Sequence, residues 1–164
     1  GAVLFEASDS DFGWEDEYLR SDGSGRKYLN IKAGGSLLPT SRLTVENKMH
    51  NLYQDGKTVF KYAVSRMSDA TEQIIKRNKI DPKEIAYLVP HQANSRIIDA
   101  TAKRINLPTE KVMRNIEKYG NTTAATLPLL LKDYEKKLRP GDKLIFAAFG
   151  GGFTWGAAYL TWSY

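Results

Sequence analysis

The sequence predicts a layered α/β domain, and three observations lead to that class. Short apolar segments alternate with longer amphipathic ones along residues 58–164. Two β-rich runs close the chain, separated only by Gly150-Gly151-Gly152, as expected of an antiparallel hairpin. The 164 residues are 41% hydrophobic and 26% charged, enough apolar material for one cored domain and unlike a disordered tail.

Taken in order, Ala2 to Ser8 is an apolar run that reads as a buried strand. A chain that opens inside a strand is expected to be a piece of something longer. Residues 9–57 look polar and irregular, with turn signals at Gly23-Ser24-Gly25 and Gly34-Gly35 and a weak helical pattern between Thr40 and Asn51. From Thr58 the pattern sharpens. Val59, Phe60, Ala63, Val64, Met67, Ala70, Ile74 and Ile75 form one stripe on a helix of about five turns. Asp81-Pro82-Lys83-Glu84 has the cap and first-turn proline of a short helix, and Ala86 to Val89 is a buried strand ended by Pro90. A second amphipathic helix presents Ile97, Ile98, Thr101, Ala102 and Ile105. Leu107-Pro108 stops it, and Thr109 and Glu110 cap a brief turn. Lys111 to Asn115 reads as another short strand. Gly120 to Thr123 leads into a helix reaching about Leu138, which Pro128 is expected to kink. Pro140-Gly141 turns the chain into strands at Lys143 to Phe149 and Thr154 to Trp162.

Composition excludes several functions. There is no cysteine, which removes disulfides, zinc–thiolate sites and a thiol nucleophile from this polypeptide. The net charge of +5 and pI of about 9.3 suit an acidic partner. The basic residues are scattered among acids without a nucleic-acid-binding signature, so no nucleic acid is expected. The longest apolar run, Leu144 to Phe149, falls far short of the roughly 20 residues that cross a bilayer, and no secretory start is recognisable. No membrane association is expected, and the cytoplasm is the expected compartment.

Two histidines are present. His50 lies in a polar stretch and reads as a surface residue. His91 follows a buried strand and precedes a helix, where ligands gather in open α/β sheets. A strand-end histidine can equally serve backbone groups. Asn121, just before a helix, reads on pattern alone as an N-cap. The three glycines read either as a tight hairpin or as backbone brought close to a ligand.

Taken together, three blocks are specific: Val89-Pro90-His91-Gln92-Ala93-Asn94-Ser95-Arg96, Gly120-Asn121-Thr122-Thr123-Ala124-Ala125, and Phe149-Gly150-Gly151-Gly152-Phe153-Thr154-Trp155-Gly156. In order and spacing they resemble the β-ketoacyl-acyl-carrier-protein synthase III family, from about Gly56 to the C-terminus. The resemblance implies the C-terminal half of a thiolase-like, five-layer α-β-α-β-α fold. Residues 56–164 would be the catalytic half-domain. Residues 1–55 would be the last strand of a missing N-terminal half plus a variable connection. It also implies an acyltransferase of fatty acid biosynthesis. A short acyl group passes from acyl-CoA to a cysteine of the other half, then condenses with malonyl-acyl carrier protein as carbon dioxide leaves. Coenzyme A and carrier-protein thioesters are substrates, and neither cofactor nor metal is expected.

By the same resemblance His91 and Asn121 are catalytic, and Gly151 lends its N–H to an oxyanion hole shared with the absent cysteine. Asn94, Phe60, Gly56 and Phe149 border the substrate, with core packing an equal account of the aromatics. Arg96, Lys61, Lys103 and Arg104 would dock an acidic acyl carrier protein, although Asp99 stands among them. The implied partners are the other half, carrier protein, acyl-CoA and a second copy in a homodimer. Thr123 and Thr126 stand where the family commonly has serine, and Leu127 where it has a β-branched residue, with no expected change in chemistry. Alternatives of other kinds are a carrier-protein-binding module without chemistry, or another thiolase-like enzyme such as a polyketide synthase. A thiolase is disfavoured, because that class uses a second cysteine here.

Overall fold

The structure, a computed structural model, describes residues 1–164. A four-stranded mixed sheet organises it, in the order β1-β6-β5-β4, formed by β1 (Gly13–Ser21), β4 (Ile85–Pro90), β5 (Lys143–Gly150) and β6 (Thr154–Thr161). β1 and β5 both run antiparallel to β6, whereas β4 and β5 are parallel. The closing hairpin is as the sequence predicts. A small antiparallel ribbon pairs β2 (Leu29–Ile31) with β3 (Leu52–Gln54).

Strand alternation divides the core between the two sheet faces. Leu88, Ile145, Ala147, Ala157 and Tyr159 point into a cluster closed by α2 (Gly56–Arg77) and α3 (Ser95–Arg104). The intervening Val89, Leu144, Leu160 and Trp162 join Met113, Leu130 and Leu138 on the opposite face, under α5 (Thr126–Tyr134). The predicted stripe on α2 is the buried one: Val59, Ala63, Met67, Ala70 and Ile74 are all inside. Asp55 caps α2 by accepting the Thr58 N–H at 3.0 Å, and Lys76 and Arg77 face the negative end of its dipole.

Several expectations are corrected. Ala2 to Ser8 is exposed and forms no strand, because no strand of this chain pairs with it. The edge strand β1 instead lies in the stretch that reads as irregular, where β2 and β3 also form, while α1 (Arg42–Glu46) falls within the weak helical pattern between Thr40 and Asn51. His50 is half-buried, not a free surface residue, with Nε2 3.0 Å from the Thr44 hydroxyl. Lys111 to Asn115 makes one bridge to β4, between Val112 and Leu88, and is no strand. An unforeseen single turn, α4 (Ile116–Tyr119), follows. Gly120 ends it at φ +65°, a conformation costly for residues carrying a Cβ.

Pro128 does not kink a long helix. α5 begins at Thr126, which places Pro128 in the first turn, where a helix has no acceptor for an N–H. The segment continues only as a 3₁₀ turn over Glu135–Lys137.

Candidate active site

β4 carries the first side chain. Pro90 closes the strand, yet the His91 N–H still donates to the Ala147 carbonyl at 2.8 Å, fixing the residue at the carboxyl end of the parallel pair. Gln92 beneath it is fully buried. Its amide donates to the Pro90 carbonyl at 2.8 Å, and its oxygen accepts the Asn115 N–H at 3.1 Å. The His91 Nδ1 lies 2.7 Å from Thr126 Oγ1, at the start of α5. Burial pushes the ring's pKa below the ordinary 6.5, so His91 is neutral near pH 7.

Asn121 approaches from the segment after α4. Its carbonyl oxygen accepts the Thr123 N–H at 3.0 Å, which assigns the amide NH₂ as its remaining donor group. Thr123 sits at φ +54°, a strained backbone for a β-branched residue. Its carbonyl in turn accepts from the Thr126 hydroxyl at 2.9 Å. A continuous set of contacts therefore joins the two side chains, from Asn121 through Thr123 and Thr126 to His91.

The glycine run is anchored by Phe153, the residue immediately after it. Phe153 is buried against Phe149, Tyr62 and Tyr28, and exchanges two backbone hydrogen bonds with Asp22 at 2.6 and 2.7 Å. A Cβ on Gly25 would stand 2.3 Å from the Phe153 ring, so the segment crossing it needs glycine there. Gly152, at φ +141°, makes the turn, and Gly151 lies at its exposed tip.

His91, Asn121, Gly151, Asn94, Phe60, Gly56, Phe149 and Arg96 all line one open cleft of about 2520 Å³. Small-molecule pockets span roughly 300–1,000 Å³, so this is a trough along one face rather than a closed pocket. Phe149 is a core residue first, only 7% exposed. Phe60 is half-buried under the Arg96 guanidinium, 5.2 Å from its ring centre. Asn94 caps α3 by accepting the Arg96 N–H at 2.9 Å. A Cβ on Gly56 would meet open space.

The remaining cations lie outside the cleft. Lys61 and Lys103 are exposed. Arg104 is engaged across α2 and α3, pairing with Asp69 and with Glu72 at 3.5 Å. Asp99 is paired with Arg114, so its charge is offset locally. Gln92 stands in a sequence motif and Thr126 at a position of the family pattern, but neither is expected from sequence to shape this site. The usable signal for Thr126 is a hydroxyl three residues beyond Thr123, within reach of that residue's carbonyl.

Residues 75–162 match the family described as 3-oxoacyl-[acyl-carrier-protein (ACP)] synthase III C terminal. The chain is 57% identical over 163 residues to a beta-ketoacyl-[acyl-carrier-protein] synthase III of Phocaeicola vulgatus, covering 99% of this chain and 49% of that protein. It is 53% identical to one of Bacteroides thetaiotaomicron, with the same two coverages. The chain thus spans about half the length of the curated relatives it matches. The likeness reaches well before Gly56, where the sequence motifs stop. Among solved structures, the 3-oxoacyl-(acyl carrier protein) synthase III of Pseudomonas aeruginosa superposes with TM-score 0.83 at 35% identity, covering 96% of this chain and 47% of that one. That of Aquifex aeolicus gives 0.82 at 32%, covering 95% and 46%. A priming beta-ketosynthase of the R1128 polyketide pathway gives 0.79 at 27%, covering 95% and 46%.

Proposed function

The chain belongs to the 3-oxoacyl-[acyl-carrier-protein] synthase III family, whose C-terminal part it matches, and from that premise we propose its share of the reaction. The whole protein takes an acyl group from acyl-CoA onto a cysteine and condenses it with malonyl-acyl carrier protein, releasing carbon dioxide. This chain has no cysteine, so the nucleophile comes from the rest of the protein and the chain alone condenses nothing. Residues 56–164 are the catalytic half-domain. Residues 1–55 hold the end of the other half and the connection. The assembled protein has five layers, is a homodimer, and works in the cytoplasm on soluble thioesters.

Loss of carbon dioxide from a malonyl thioester leaves an enolate, with its charge developing on the thioester oxygen. An imidazole N–H from His91 and the amide NH₂ of Asn121 stabilise that charge, and neither group need change protonation. One such donor contributes about 3 kcal/mol, roughly a hundredfold in rate. The Gly151 N–H serves the second oxyanion, on the acyl group held by cysteine. Asn94, Phe60 and Gly56 border the passage for the pantetheine arm, and Phe149 packs near the cysteine. Arg96, Lys61, Lys103 and Arg104 attract acyl carrier protein.

The observation that supports this reading best is the continuous contact between His91 and Asn121 through Thr126 and Thr123, on one cleft wall. The test is to offer the whole protein labelled acyl-CoA with malonyl-acyl carrier protein or malonyl-CoA. A ketoacyl product on carrier protein is expected. Product only from malonyl-CoA would move the assignment to polyketide chemistry, and none from either would overturn it.

A further inference from the structure

α4 leads directly into Asn121 and has little of its own to hold it in place. The helix is a single turn without one buried residue. Nucleating a helix is unfavourable, so a turn this short does not persist on its own hydrogen bonds. Those bonds run from the Lys118 and Tyr119 N–H groups to the Asn115 carbonyl at 3.0 and 3.1 Å, and from Gly120 to Ile116 at 2.8 Å. Asn121 follows, exposed, and its side chain bonds only to Thr123 in the same loop. Where Asn121 stands therefore depends on what holds α4 from outside.

That support is Asp133 on α5. Its Oδ2 accepts the Asn115 side-chain amide at 3.1 Å, and its Oδ1 accepts the Tyr119 hydroxyl at 3.2 Å and the Lys118 ammonium at 3.3 Å. One carboxylate thus holds both ends of the turn. The Asn115 amide above all, with Lys118 and Tyr119, keeps the Asp133 carboxyl below its ordinary range, so it is ionised and accepts at both oxygens near pH 7. The neighbouring Tyr134 hydroxyl accepts the Arg114 N–H at 3.2 Å, which ties the residue before Asn115 to the same helix. Asn115 is also buried, and its N–H donates to Gln92, next to His91, at 3.1 Å. The support of Asn121 and the support of His91 meet at this one residue.

We propose that Asp133 is a positioning residue for the condensation: by holding both ends of α4 it fixes where Asn121 stands relative to His91. Solvent-facing ion pairs such as Lys118–Asp133 contribute little to stability, so its effect lies in geometry. A displacement of about 1 Å at a reacting group can cost on the order of a hundredfold in rate. The inference rests on the reading of Asn121 as a donor to the forming enolate, and the closing experiment separates the two.

The experiment uses the whole protein carrying Asp133→Leu, which removes all three contacts, or Asp133→Asn, which keeps the shape with one acceptor oxygen. Decarboxylation of malonyl-acyl carrier protein should fall about tenfold or more in Asp133→Leu and about threefold or more in Asp133→Asn. Acyl loading from acyl-CoA should hold at the wild-type rate in both. Added to Asn121→Ala, Asp133→Leu should cause no further loss, since it acts through Asn121. Crystals of the variant should show Asn121 displaced by about 1 Å. Wild-type decarboxylation in the folded variants would overturn the proposal, as would an equal fall in acyl loading or losses that multiply with Asn121→Ala. Where Asp133→Leu does not fold, the rates of Asp133→Asn decide. If Asn121 is displaced as expected while Asn121→Ala decarboxylates at the wild-type rate, the positional role stands and the donor reading falls.

Discussion

The carboxamide oxygen of Asn121 is bound to the backbone N–H of Thr123 at 3.0 Å, and this bond alone decides what Asn121 can offer a substrate. With the oxygen engaged, the NH₂ is the group left to act. Asn121→Asp keeps the turn to Thr123 but replaces the donor by a carboxylate, which repels a growing negative charge. Decarboxylation of malonyl-acyl carrier protein should fall by more than about a hundredfold. A rate within a factor of about three of wild type would show that Asn121 gives no hydrogen bond to the reacting oxygen.

Gln92 is legible as part of a motif, but its work is structural. It is fully buried and ties the end of β4 to Asn115. Gln92→Leu strands a buried carbonyl and a buried N–H, each worth about 1–3 kcal/mol. Urea unfolding of the whole protein should report at least about 2 kcal/mol of lost stability. His91, directly attached, should lose order with it.

Burial holds the His91 pKa below its ordinary 6.5. The unfolded chain therefore takes up this proton before the folded one does, and stability falls as pH drops below 6.5 toward the lowered value. Above 6.5 the group contributes no pH dependence. The difference in unfolding free energy between wild type and His91→Gln should be flat above that pH and grow against wild type below it. A flat difference across the acid range would contradict this.

Lys103 is exposed at the end of α3, outside the cleft. If it attracts acyl carrier protein, Lys103→Glu should lower kcat/KM for the carrier-protein substrate about three- to tenfold at low ionic strength, converging on wild type in high salt. Acylation by acyl-CoA should stay unchanged. A salt-independent loss would point to a fold defect instead.

The long helix α2 is legible because it buries one regular stripe, and β4 and the final hairpin because each is a short, mostly apolar run bounded by turn residues. β1 is not, because Glu15, Asp16 and Glu17 give it no apolar alternation, and its place is fixed by pairing with distant β6. Ala2 to Ser8 errs the other way: its composition suits a strand, but a strand also needs a neighbour. At the site, His91 and Asn121 stand out through their motifs. The Thr126 contact with His91 joins residues 35 positions apart, and no local pattern encodes such a distance.

The most direct measurement separates the two half-reactions in the whole protein carrying His91→Ala or Asn121→Ala. Each variant should still load an acyl group from acyl-CoA at close to the wild-type rate. Each should lose roughly a hundredfold or more in releasing carbon dioxide from malonyl-acyl carrier protein. Undiminished carbon dioxide release in either variant would contradict the account.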